Sequence, residues 1–138
     1  MKFIKILFIL SLVCYSCAAK QQNLSYVDIE GDPEIIKNLA VEIVGLIHME
    51  KNVQNVVINL IYDKDNVLGD EILKELKDKG FALSDTDGTK TTFLVTSFEA
   101  NKIYLSVTLD KMMLSRIYLY EAQTGTISVA SPLNKGDV

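Results

Sequence analysis

The sequence predicts an α+β domain: two helices packed on one face of a small, mostly antiparallel sheet, in the order helix, strand, helix, meander. Three observations carry that expectation. Apolar residues recur at three and four spacing from position 33 to 50 and again from 67 to 79, the mark of helices with one buried face. A β-branched run, NVVINLIYD from Asn55, stands between them. After Gly80 the period drops to two, in short stretches broken by turn residues.

Asp32-Pro33-Glu34 supplies a helix start, with a capping oxygen, a proline in the first turn and an acid at the positive end of the helix dipole. Ile36, Leu39, Ala40, Ile43 and Ile47 then form the apolar stripe of a helix over 33–50, with Lys37, Asn38 and Glu42 toward solvent. Val56 to Tyr62 reads as a strand with much of both faces buried. Asp65 and Asn66 are candidate caps for the next helix, in which Leu68, Ile72 and Leu76 fall four apart and Lys77, Lys79 and Gly80 mark the exit. The remaining strands are FALS, TTFLVTSF, IYLSVTL, LSRIYLY and TISVA, separated by the turns DTDG, EANK and DKMM and by Gly125. DTDG reads as a hairpin turn with Gly88 at positive φ.

Side-chain parity adds a surface. Ile103, Leu105, Val107 and Leu109 share one face of their strand, and Ile117 and Leu119 share one face of the next. If both apolar rows meet the same core, paired residue numbers sum to an even value, as a connection of three or five residues gives. Tyr104 would then face Tyr118 or Tyr120 on the side away from the helices, beside Arg116. Three tyrosines and an arginine there make a candidate protein interface; tyrosine's ordinary preference for sheets is the other reading of the same residues.

The chain opens MKFIKILFILSLVCYSCAAK. A short basic start, an apolar block and small residues at the exit form a secretory signal. Ile6 to Ala19 is about 21 Å as helix, too short for roughly 30 Å of hydrocarbon. CYSC ending at Cys17 is like a lipoprotein cleavage box, with small Ser16 before the cysteine, and bulky Val13 makes Cys14 the poorer acceptor. Acylation of Cys17 would hold the protein firmly at a bilayer, at about 0.8 kcal/mol per buried methylene. A plain cut after Ala18 or Ala19 is the alternative and removes both thiols. The expected organisation is a signal peptide over 1–16, anchor and tether over 17–31, one domain over 32–132 and a tail over 133–138.

Composition excludes several functions. Lys2 and Lys5 are the only charges before Cys17, which leaves 12 of the 14 basic residues against all 18 acidic ones. Phosphate neutralisation needs clustered Lys and Arg, so nucleic acid is not a direct ligand. The domain has no cysteine beyond the leader, hence no disulfide or thiolate metal site. DKDNVLGDEILK from Asp63 has Val67, Leu68 and Lys74 where a calcium loop needs a ligand, a glycine and a bidentate acid. His48, the sole histidine, falls near a helix C-terminus as a capping or surface residue, with neither nucleophile nor orienting acid beside it in sequence. No catalytic residue, metal or cofactor is expected.

Two stretches carry a family resemblance. EILKELKDKGFAL is similar to the helix-to-strand segment L-R-x-x-G-[YF]-A-[VIL] of TrbH-type conjugal transfer lipoproteins. LSRIYLYEAQTGTISVASPLNK resembles that family's C-terminal ending through Ser115, Arg116, Tyr118, Gly125 and Pro132. Lys77 replaces the usual arginine, the lipobox is irregular, and no aromatic stands near the C-terminus. The resemblance implies an outer-membrane lipoprotein of a type IV secretion or conjugation channel. Its domain, like the N-terminal domains of secretins, would face the periplasm and pack against neighbouring subunits in a multimeric assembly. A stand-alone periplasmic binding lipoprotein or inhibitor is the alternative.

Overall fold

A computed structural model describes residues 25–29 and 32–138. The leader, Cys17 and most of the expected tether lie outside the described residues. The architecture is mixed α+β, with two helices and an eight-stranded sheet in the order β1 (Tyr26–Asp28), α1 (Pro33–Glu50), β2 (Val57–Leu60), α2 (Val67–Asp78), β3 (Ala82–Leu83), β4 (Thr89–Glu99), β5 (Lys102–Leu109), β6 (Met112–Glu121), β7 (Thr126–Val129) and β8 (Asn134–Asp137).

Both helices begin and end where their sequences signal. The Asp32 carboxylate accepts from the Glu34 amide at 3.0 Å, and the Asn66 side chain accepts from the Gly69 amide at 3.1 Å, so Asn66 rather than Asp65 caps α2. At the exit of α2, Gly80 sits at φ +86°. Its amide donates to Lys77 O and the Phe81 amide to Leu76 O, the paired bonds of a Schellman ending. Phe81 and Leu76 are both buried in the core.

α1 packs against α2, β5 and β7. One buried cluster joins Leu39, Ile43 and Ile47 of α1, Leu68, Ile72 and Leu76 of α2, and the inner rows of β4 and β5. Asn38 and Glu50 tie α1 to the β6–β7 turn and to β8. Asn38 Nδ2 donates to Gly125 O at 2.8 Å, and Glu50 receives Lys135 Nζ at 2.7 Å.

The sheet corrects four expectations. Tyr26–Asp28, placed in the tether, is a strand parallel to β4; three residues are too few to show a period of two in sequence. The expected C-terminal tail contains β8, antiparallel to the first half of β6. NKGD is exposed throughout and joins through its backbone, leaving no apolar pattern to read. β2 is shorter than Val56–Tyr62, and Val57 is exposed while Ile58 and Asn59 are buried. DTDG is not a hairpin turn: β3 and β4 lie on opposite sides of β2 and both run parallel to it. Residues 84–88 carry the chain from one flank of β2 to the other, and Gly88, at φ +106°, comes against the Val57 carbonyl there.

β4 and β6 are the long strands, and each is flanked on one edge by two short strands end to end. β2 and then β1 line β4; β7 and β8 line β6. Each handover leaves a main-chain donor without a strand partner, and a serine hydroxyl fills the gap. Buried Ser25 donates to Ile61 O at 2.5 Å and accepts from the Phe93 amide at 3.0 Å. Ser131 Oγ accepts from the Ile117 amide at 2.9 Å. Replacing Ser25 with alanine strands one buried donor and one acceptor and should cost about 1–3 kcal/mol. Urea denaturation reads this directly, and an unchanged midpoint would show that the hydroxyl does not hold the gap.

Candidate docking surface

Turn length decides which side chains face the helices. β5 and β6 are joined by only two residues, Asp110 and Lys111, so paired numbers sum to an odd value, as in Leu109↔Met112 and Ile103↔Tyr118. Asp110 adopts φ +56°, a conformation that Asp tolerates better than most residues. Its carboxylate accepts from the Lys90 amide at 2.9 Å and its amide donates to Lys90 O at 2.8 Å, tying the turn to β4. The β4–β5 hairpin also closes through two residues, but a bulge between Ser97 and Glu99 restores the even sum, so Phe93 pairs with Val107 on the core side.

Met112, Leu114, Arg116, Tyr118 and Tyr120 therefore point to the helix side, and Met113, Ser115, Ile117 and Leu119 point away. The expected patch of Tyr104, Arg116, Tyr118 and Tyr120 does not form. Tyr118 is 0 % exposed and lies in the core, while Tyr104 sits half-buried on the opposite face, paired with Ile117. Tyr120 borders a hollow of about 200 Å³ with Ile35, Ser97 and Ile103. Arg116 is half-buried on the helix side.

The Tyr118 phenol is pushed up to about 12, first by burial and then by the nearby Glu42 carboxylate, against the opposing pull of Arg116. Neither its hydroxyl nor Arg116 Nε makes a hydrogen bond among the described residues. Tyr62 is pushed up to about 12 as well, by burial and by its 2.8 Å hydrogen bond to Asp70. His48 is exposed on α1, its ring edge-on to Phe81 at 6.0 Å.

The outward face is built in cross-strand rows. Thr96, Tyr104 and Ile117 form one row; Leu94, Ser106 and Ser115 form the next. Ser106 and Ser115 are buried between larger neighbours and make a low floor, with Tyr104 and Ile117 standing on one side and Thr108 and Met113 on the other. Leu119, 37 % exposed, and Phe98, 48 % exposed, extend the apolar area toward the β4–β5 turn. Both helices contribute to the single core on the other side. A face of aromatic and aliphatic side chains around small hydroxyls suits contact with another protein better than chemistry on a small molecule. Its apolar members are visible in sequence as the LSRIYLY alternation; assigning them outward requires the two-residue turn.

Among the described residues no group of His, Cys, Asp and Glu is placed to hold a metal ion. No described helix is long and apolar enough to cross a membrane.

A family model described as conjugal transfer protein TrbH matches residues 19–136, which takes in β1 through most of β8. Comparisons with curated proteins and with solved structures gave no match.

Proposed function

This chain belongs to the TrbH family of conjugal transfer proteins, and from that membership we propose that it is a non-catalytic, lipid-anchored subunit of a type IV secretion or conjugation channel at the outer membrane. Its work in this reading is assembly: Cys17 carries the lipid, the domain faces the periplasm, and its outward sheet face docks against other components of the transfer machinery. The observation that carries the docking role is the row of Tyr104 and Ile117, beside Leu119, on the sheet face opposite the helices. The likeness to secretin N-terminal domains belongs to the same proposal and rests on the resemblance alone.

The early start of the fold tightens the geometry. With Ser25 already bonded to β4, only residues 18–24 separate an acylated Cys17 from the domain, a reach of at most about 25 Å. The domain is then held close to the bilayer, where neighbouring anchored copies and channel subunits meet it.

Metabolic labelling with a radioactive fatty acid tests the anchor. Native protein should take the label and stay with membranes, and Cys17→Ser should lose both. Label persisting in Cys17→Ser would move the anchor elsewhere, and an unlabelled native protein would remove it. A labelled protein found only as a monomer would favour the stand-alone binding lipoprotein.

A further inference from the structure

At the β1 edge of the sheet lies an open groove of about 540 Å³. Its floor is apolar, formed by Val27 and Ile29, by Pro33 and Ile36 at the start of α1, and by Leu68 in the first turn of α2. Val67, 65 % exposed, and Tyr26, 55 % exposed, stand at its margins. Asp63 and Asp65 complete the rim, and among the described residues neither carboxylate has a hydrogen bond or an ion pair. Lys64, between them in sequence, lines a separate depression with Leu60, Tyr62 and Leu83.

Three features narrow what the groove can take. Its polar side chains within are already used: the Ser25 hydroxyl bridges Ile61 and Phe93, and the Asn66 side chain caps α2. Apart from the two rim carboxylates, no free polar side chain lines the groove to orient a small ligand. What remains is main chain, since β1 pairs with β4 on one edge and among the described residues no strand pairs with the other. The unpaired carboxylates set the sign of charge that fits beside it.

We propose that this groove receives an extended segment of a partner polypeptide that adds as a strand to the free edge of β1, places an apolar side chain against Val27, Ile36 and Leu68, and sets a lysine or arginine against Asp63 and Asp65. Main-chain bonds supply general affinity in this mode of recognition, and the pocket with its charged rim supplies selectivity. The proposal deepens the assembly reading by naming the chemistry of a second contact, separate from the outward sheet face.

The test uses the full chain in its native membranes, with a benzophenone side chain in place of Val67, which is exposed and leaves the core untouched. After irradiation the crosslinked peptide is sequenced by mass spectrometry. The expected product is a peptide of another polypeptide in which an apolar residue is flanked by lysine or arginine. Reversing the rim with Asp63→Lys and Asp65→Lys should cut its yield about tenfold, because two favourable exposed pairs become repulsive. The proposal is overturned by the absence of any crosslink, by an acidic peptide, by a yield that ignores the reversal, or by a product from this chain's own N-terminal segment or from a second copy. Loss of the Val67 product while the outward face still crosslinks removes the groove alone; loss of both removes the assembly reading.

Discussion

Replacing Tyr118 with alanine should destabilise the domain by about 3–5 kcal/mol, the usual cost of emptying a buried aromatic site. A domain of this size should then melt more than about 10 °C lower. The side chain is completely shielded, beneath α1 and next to Ile103 across the strands, so its removal leaves a cavity rather than a bare patch of surface. Tyr118→Phe keeps the ring and should change stability by about 1 kcal/mol or less, because the hydroxyl makes no hydrogen bond to lose. The two variants also separate in alkali. The phenol titrates near 10 in the unfolded chain and at about 12 in the folded one, so the native state holds its proton longer. Stability is intact below pH 10 and falls as pH rises from 10 to 12, because the unfolded chain gives up its phenolic proton first. Tyr118→Phe should lose that part of the decline, and Tyr62, shifted the same way, should keep a residual slope. An alanine variant as stable as the native protein would return Tyr118 to the surface.

Gly88→Ala should cost about 3 kcal/mol, through φ +106° and through the collision of any β-carbon with the Val57 carbonyl. The obstacle is main chain on the first residue of β2, which cannot swing aside as a long side chain would. Relief requires β2 to move, and β2 links β3 to β4. Gly45→Ala is the internal comparison. Gly45 is helical and exposed with nothing within 4 Å of an added β-carbon, so alanine there should stabilise by about 0.5–1 kcal/mol. Equal effects from the two substitutions, read by urea denaturation, would show that residues 84–88 do not cross β2 as described.

Local signals in the sequence locate the helices closely, because their information is local: Pro33–Glu50 and Val67–Asp78 each follow from a cap, a periodic stripe and an exit. The sheet was less legible. Parity placed the Ile117 and Leu119 row in the core with Ile103 and Leu105, and the register overturns it: LSRIYLY offers two rows of similar character, and Leu114 with Tyr118 faces the helices while Ile117 with Leu119 faces away. Only the length of the preceding turn chooses between them. A four-residue DKMM turn and the two-residue turn left once Met112 and Met113 join β6 both give an odd sum, so the turn already argues against Ile117 and Leu119 as the core row. The bulge at Phe98 and the passage of residues 84–88 around β2 are tertiary choices with no local signature beyond Gly88 itself. β1 and β8 are too short or too polar to show a period, and they are held by the ladder groups that β4 and β6 present. The candidate docking surface was thus legible as a set of residues but not as a face: Tyr104 is where parity put it, and Tyr118 and Tyr120 are on the other side.

The proposed role is carried by the outward sheet face, which would meet other polypeptides at the membrane. Ile117, half-buried at the centre of that face, is the position to ask. With a photoreactive side chain there, irradiation of native membranes should shift the protein into defined heavier species, whereas the same probe at Lys37 on the exposed side of α1 should leave it a monomer. A monomer from Ile117 as well would contradict the account.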